Sequence, residues 1–263
     1  MRKATQFPSR AEHVAIPVLS PKQCEIRERE GRLLEVAREL IIARGYHGLT
    51  MARIATRLGV AKATVYQHFS CKEEVIMALA SRSVDLQREL VERAAAFQGN
   101  PRERMFAVGE ATQLFAALHP DDARIFQLMN AEVITQKAAE VSLWRLRASA
   151  RQTASAINGI IRDAIAQGDL QLKESGAIES LTYMFWQMGE SAKAAMWSWM
   201  PPGELGVANP FDAMFHSGQI IGDAYGWRPL SSDWDYLSTR RRVRREVFPV
   251  ECRKAYGANY LEL

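Results

Sequence analysis

Residues 50–74 read TMARIATRLGVAKATVYQHFSCKEE, and this stretch decides the fold. Apolar side chains return at helical spacing in Met51, Ile54, Ala55 and Leu58, so one face of a short helix points inward. Gly59-Val60 interrupts that helix, and Val65 and Phe69, four residues apart, resume the inward face of a second one. Val60, Val65 and Phe69 are all read as core. Two short helices joined by a glycine turn describe a helix-turn-helix, whose second helix lies in the DNA major groove. Double-stranded DNA is the expected partner.

Working outward, Leu33, Val36, Ala37, Leu40 and Ile41 form the apolar stripe of a helix over about residues 25–44. Gly45 stands where a left-handed cap ends it, and Thr50 is suited to cap the next helix. Ser70 and Glu73 have the spacing of a capping box that opens a fourth helix, running to about residue 97. Beyond it, breaks fall at Gly99-Asn100-Pro101, His119-Pro120, Gly168-Asp169, Pro201-Pro202-Gly203 and Asn209-Pro210. They leave helices at about 102–118, 121–131, 137–167, 174–200 and 211–225. Asp121-Asp122 reads as the acidic first turn of one of them. No alternating β-branched run is long enough for a strand, so the fold class is all-α.

The pattern divides into a flexible arm (1–22, with Pro8, Pro17 and Pro21) and a helix-turn-helix domain (23–72). A helical domain (73–227), the expected ligand-binding part, and a tail (228–263) with a basic cluster follow.

The chain has 263 residues, 48% hydrophobic and 24% charged, enough for a sizeable core. Its net charge of +4 is unevenly placed: residues 1–72 carry +7 and the remainder −3. The basic excess coincides with the reading head, as a polyanionic partner requires. Cys24, Cys71 and Cys252 are too scattered for a disulfide framework, and the five histidines show no ligand spacing, so neither metal nor cofactor is expected. No nucleophile elbow, zinc motif or phosphate loop points to an enzyme. Without a signal-like apolar segment or a span of about 18 apolar residues, the expectation is a cytoplasmic protein with no membrane partner.

The order Gly45-Tyr46, Thr50, Ile54-Ala55, Gly59-Val60, Thr64-Val65-Tyr66, Phe69 and Lys72-Glu73 resembles the tetracycline-repressor (TetR) family of bacterial regulators, over about residues 28–79. Physics alone lets Thr50 and the start of its helix offer N–H groups and a hydroxyl to a phosphate. Lys62 and Thr64, early in the recognition helix, are placed to reach base edges or flanking phosphates. The resemblance implies backbone contacts for Tyr66 and His68, and a phosphate contact for Lys72. Tyr66 is otherwise a half-buried packing aromatic, His68 an unemployed surface histidine, and Arg53 and Arg57 either touch DNA or are solvated. Ala61 and Ala63 depart from the serine and glycine frequent in the family; Ala61 forfeits roughly 1 kcal/mol of capping. Cys71, beside Lys72 in a first helical turn, is either a redox switch or a bystander.

Tyr183-Met184-Phe185-Trp186-Gln187-Met188 and Met196-Trp197-Ser198-Trp199-Met200 are rich in large, soft side chains that line either an adaptable cavity or a solid core. A ligand site is expected among Phe115, Phe126, Met129, Trp144, Tyr183, Trp186 and Gln187, with Gln113 as a further polar group. The resemblance places a homodimer interface on 174–200 and 211–225. Arg240, Arg241, Arg242, Arg244 and Arg245 read as a solvated tail, or else as an accessory DNA contact. The leading expectation is a homodimeric repressor released from a palindromic operator by a small, largely apolar molecule. The alternative is a partner-controlled or architectural DNA-binding protein without an inducer.

Overall fold

A computed structural model describes residues 20–128, 132–174 and 176–262, which form helices with no strand among the described residues. Residues 1–19 of the expected arm, and Met129 of the expected ligand site, lie outside the described residues. The head consists of α1 (Pro21–Gly48), α2 (Met51–Leu58) and α3 (Lys62–Tyr66). Next come α4 (Lys72–Ala95), α5 (Pro101–Leu118), α6 (Pro120–Leu128), α7 (Glu132–Lys137), α8 (Glu140–Gln167), α9 (Ala177–Ala195) and α10 (Pro210–Ala224). Two last helices, α11 (Tyr236–Glu246) and α12 (Pro249–Tyr256), close the chain.

Local chemistry explains most boundaries. The regular part of α1 breaks at Gly45, whose φ of 67° lies in the left-handed region that a side chain would strain. Thr50 caps α2 by accepting the Arg53 N–H at 3.2 Å, and Gly59 ends it in the left-handed conformation. Asn100 and Glu103 exchange bonds in a capping box at the start of α5. The box expected at Ser70 does not form: Cys71 stands at the cap and Glu73 is drawn elsewhere, to the phenol of Tyr46. Val60 is a second correction. It is 36% exposed because it sits in the turn after the Gly59 cap, off both helical faces, whereas Val65 and Phe69 are buried.

The apolar core has two main parts, and α4 belongs to both. Val75, Ile76, Leu79 and Val84 pack with Leu33, Ile41, Ile54 and Val65 of the head and with Ile125, Ile134 and Leu146. Further along, Leu90, Val91 and Ala94 join Phe115, Ile157, Ile160, Ile161 and Trp227 in the second cluster. At 1.5 Å per residue, the 24 residues of α4 make a rod about 36 Å long. It joins the head's core to the second cluster.

The tail is the largest departure from the sequence reading. α11 and α12 pack on α5, and the arginine cluster that reads as solvated is the means of attachment. Arg240 and Arg244, one turn apart, grip the two oxygens of Glu110 at 2.6 and 2.9 Å, with Arg244 and Glu110 both fully buried. Arg242 and Thr239 bind Glu103, seven residues earlier on the same face of α5. Arg241 and Arg245 remain exposed.

Candidate DNA interface and ligand cavity

In the head, Val65 and Phe69 anchor α3 and leave Lys62, Ala63, Tyr66 and Gln67 exposed on its outer side. The Lys62 ammonium lies 5.5 Å from the Tyr66 ring centroid, so cation and aromatic form one surface, one helical turn apart. Thr64 and His68 are half-buried beside them. Ala61 caps α3 without a side-chain bond, so no hydroxyl competes for the N–H groups at that end. Arg53 donates to the carbonyl of Gly48, and Arg57 pairs with Glu39 at 3.1 Å in the open. Gln67, exposed between Tyr66 and His68, was missed by sequence reasoning, since no periodicity singles out one polar residue on an outer face.

Lys72 has an internal duty. Its ammonium sits 3.7 Å over the Tyr46 ring and donates to the Tyr46 carbonyl at 3.2 Å. Cys71 is half-buried, with its sulfur 3.9 Å from the Lys137 carbonyl oxygen.

A narrow, mostly apolar cavity, open at its mouth, lies where α4, α5, α8, α9 and α10 meet. Its wall on α5 runs from Arg102 through Met105, Val108 and Gly109 to Thr112. α9 presents Phe185, Trp186, Met188, Gly189 and Glu190, α10 presents Phe215 and Gly218, and α8 presents Thr153 and Ile157. Gln87 and Val91 of α4 complete one side, and Trp227 and Trp234, beyond α10, close another. Gly109 makes the packing possible: a Cβ there would meet Phe215 at 2.7 Å.

Of the expected ligand residues, Trp186 lines this cavity and the other described ones do not. Phe115 is buried in solid core, one turn past Thr112. Phe126 packs toward the head cluster, where the Lys193 ammonium lies 5.3 Å from its ring. Trp144 is 62% exposed because α8 meets the cavity at Thr153 and Ile157, more than two turns further on. Tyr183 is 57% exposed, and Gln187 is half-buried outside the wall, since the arc of α9 that faces inward is the one through residues 185, 186, 188 and 189. Gln113 is also absent from the wall, its side-chain oxygen buried without a partner. α9 stops at Ala195, so Met196, Trp197, Trp199 and Met200 fall in an exposed loop and not in a cavity.

Comparison with known proteins bears on the head first. Residues 33–79 match the family described as bacterial regulatory proteins, tetR family. The HTH-type transcriptional activator FasR of Mycolicibacterium smegmatis is 43% identical over 84 residues, which are 32% of this chain and 38% of that protein. The head, residues 33–79, is of the tetR family. Two solved structures extend the likeness in fold to about three quarters of the chain. FadR of Bacillus subtilis in complex with stearoyl-CoA has a TM-score of 0.56 at 17% identity, covering 74% of this chain and 98% of that one. AibR in complex with isovaleryl coenzyme A and operator DNA has a TM-score of 0.53 at 20% identity, covering 75% and 98%. Among the described residues, no helix is long and apolar enough to cross a membrane.

The TetR-type head is tied to the helices behind it by a polar junction. Tyr46 donates to Glu73 at 2.6 Å, Lys137 approaches Glu73 at 3.7 Å, and Glu74 accepts the Ala139 N–H and the Ser142 hydroxyl. On the other flank Arg38 of α1 reaches Asp121 and Asp122 of α6, at 3.1 and 3.4 Å. Burial pushes the Glu73 carboxyl up, but the Tyr46 bond, with smaller help from Cys71 and Lys137, holds it below the usual carboxylate range. The same bond, with burial, pushes the Tyr46 phenol up to about 12.

The signs differ at the two ends. A depressed carboxyl adds stability above its unfolded value that is lost as pH falls, whereas a raised phenol adds stability below its ordinary value that is lost as pH rises toward about 12. Tyr46→Phe should cost about 1.5–3 kcal/mol near neutral pH, because a buried carboxylate loses its donor. Its urea stability should also fall less steeply than the native chain's at both the acid and the alkaline edge, which unfolding curves across pH would check.

Proposed function

We propose that this chain is a homodimeric repressor that holds a palindromic operator and releases it when a small, largely apolar molecule fills the cavity. The observation that carries this reading is the cavity's wall on α4. Gln87 and Val91 face the empty space, and the same helix continues into the head's core through Val75, Ile76 and Leu79. A ligand that favours one setting of α4 therefore favours one placement of the head. The complexes of FadR and AibR with acyl-coenzyme A compounds support a ligand-responsive sensor. The reading without an inducer loses ground to the cavity, which a solidly packed core would lack. In the proposed cytoplasmic regulator, Lys62, Thr64 and Tyr66 read the duplex, with Thr50, His68 and Lys72 at its flanks.

The dimer is assigned to α9 and α10, which pack on one another and expose Tyr183 and Ile220 by more than half. Two recognition helices on one face of a duplex must then stand about 34–36 Å apart, one helical turn. Tilting α4 would spoil that spacing and cost the simultaneous grip of both half-sites.

Gly218→Leu tests the role of the cavity. A Cβ at Gly218 makes only ordinary contacts, 3.6 Å from Phe185 and 3.7 Å from Met188, so a larger side chain occupies cavity space without breaking the fold. The variant should bind duplex DNA as the native chain does, yet take up the neutral apolar dye Nile red at least about tenfold more weakly and keep its DNA in the dye's presence. Equal dye uptake and equal DNA release by the two proteins would contradict the proposal.

A further inference from the structure

The cavity is mostly apolar, and at the end formed by Gln87 and Glu190 a buried cation stands behind the wall. Lys193 is 1% exposed, and burial pulls its ammonium pKa down despite the opposing effect of Glu190. It donates to Gln87 of α4 at 2.6 Å and to Glu190 of its own helix at 2.8 Å. Both partners belong to the cavity wall, while Lys193 does not. Lys193 holds one oxygen of Glu190, and the other makes no hydrogen bond among the described residues. The side chain is 17% exposed, so this oxygen stays open to a donor that enters the cavity.

The other charge on the wall is already used. Arg102, 4% exposed, gives its N–H groups to the carbonyls of Trp227, Pro229 and Gln219 and to Asp223. No uncommitted cation lines the cavity among the described residues, so an anion buried there would meet Glu190 with nothing to balance it. An ammonium would make a second cation on a carboxylate that Lys193 already neutralises. A hydroxyl fits. Length is set by α5: from Arg102 to Thr112 is ten residues, about 15 Å of wall.

Resting on the reading of this cavity as the effector site, we propose that it takes an elongated, uncharged apolar molecule whose terminal hydroxyl donates to Glu190, and that Lys193 passes the contact to α4 through Gln87. A hydroxyl on Glu190 competes with the ammonium for that carboxylate. The Lys193–Gln87 bond, which joins α9 to α4, then resets. Gln87 is a positioning residue in this account, and Glu190 is the binding one.

The test compares lauryl alcohol, laurylamine and laurate, which share one chain length, for binding to the full native protein and for displacement of duplex DNA selected by it. The alcohol should bind at least about tenfold more tightly than laurate and more tightly than the amine. Gln87→Met should retain its DNA at an alcohol concentration that saturates the variant's own cavity, as followed by direct binding, whereas the native protein saturated with the alcohol releases it. Glu190→Gln paired with Lys193→Met, which removes the buried charge pair together and keeps the core neutral, should erase the preference for the alcohol. Laurate or the amine binding as well as the alcohol would overturn the ligand class. DNA release by the alcohol that is equal in native and Gln87→Met protein would overturn the relay. If laurate binds and releases DNA, the ligand-responsive reading stands and this proposal falls. If the alcohol binds with the expected preference and DNA affinity does not change, the ligand-responsive reading itself falls, and the relay with it.

Discussion

Glu110→Ala is expected to lower the stability of the chain by about 3–5 kcal/mol and to release α11 and α12 from α5. Glu110 is the shared counter-charge of Arg240 and Arg244, and the Glu110–Arg244 pair is 4% exposed on both sides. Removing the carboxylate leaves the Arg244 guanidinium in the core with the Tyr260 carbonyl as its remaining hydrogen-bond acceptor among the described residues and the Tyr256 ring 5.2 Å away. Desolvating an unpaired cation costs more than the pair itself contributes, so the truncation is felt in full. Against a typical total of about 5–15 kcal/mol, that loss approaches the whole margin. Urea unfolding should show a midpoint far below the native one, and limited proteolysis should cut between residues 228 and 262 before the remainder unfolds. Trp234, which bonds Thr239 and stands in the cavity wall, would leave with the tail. A midpoint and a cleavage pattern like those of the native chain would refute the docking.

The second large effect belongs to the head. Replacing Lys62, Thr64 and Tyr66 together by alanine should reduce affinity for selected duplex DNA on the order of a thousandfold or more. Each contact of this kind is worth about 1–3 kcal/mol, and a dimer doubles the number. All three side chains lie at the outer surface of α3 or its margin, away from Val65 and Phe69, so the fold should survive and circular dichroism should match the native protein. Part of the loss should be independent of sequence and should lower the salt dependence of binding, because Lys62 also neutralises phosphate charge. Lys72 is left out of the set because its ammonium is engaged by Tyr46, so its removal would mix stability with binding. Unchanged DNA affinity would remove α3 from the interface.

The head was legible because its signals are local. Met51, Ile54 and Ala55 fall on one face of α2 and Val65 on the inner face of α3 by spacing alone, and Thr50, Gly45 and Gly59 mark the ends with residues whose chemistry suits caps. Two local readings failed because a distant group outbid a neighbour. Glu73 bonds Tyr46, 27 residues away, in preference to the Ser70 cap, and the arginines of α11 bond Glu110, 130 residues away, in preference to water. A run of arginines reads as solvated until a buried carboxylate is found for it. Glu103 and Glu110, two turns apart on one face of α5, were the signal that could have revealed the site. The cavity was legible in kind and not in detail. Helix α9 carries bulky apolar groups almost all round through Tyr183, Met184, Phe185 and Trp186, so composition identifies the helix but not its rotation. Trp227 and Trp234 sit where the sequence reading placed a border and a tail.

The most direct measurement is selection from a pool of random duplex DNA by the full native chain. The account predicts enrichment of an inverted repeat whose half-sites are centred about one helical turn apart, roughly 34–36 Å. It also predicts that the alanine-substituted head enriches nothing from the same pool. An unenriched pool with the native chain, or a single unpaired half-site bound by one protomer, would contradict it.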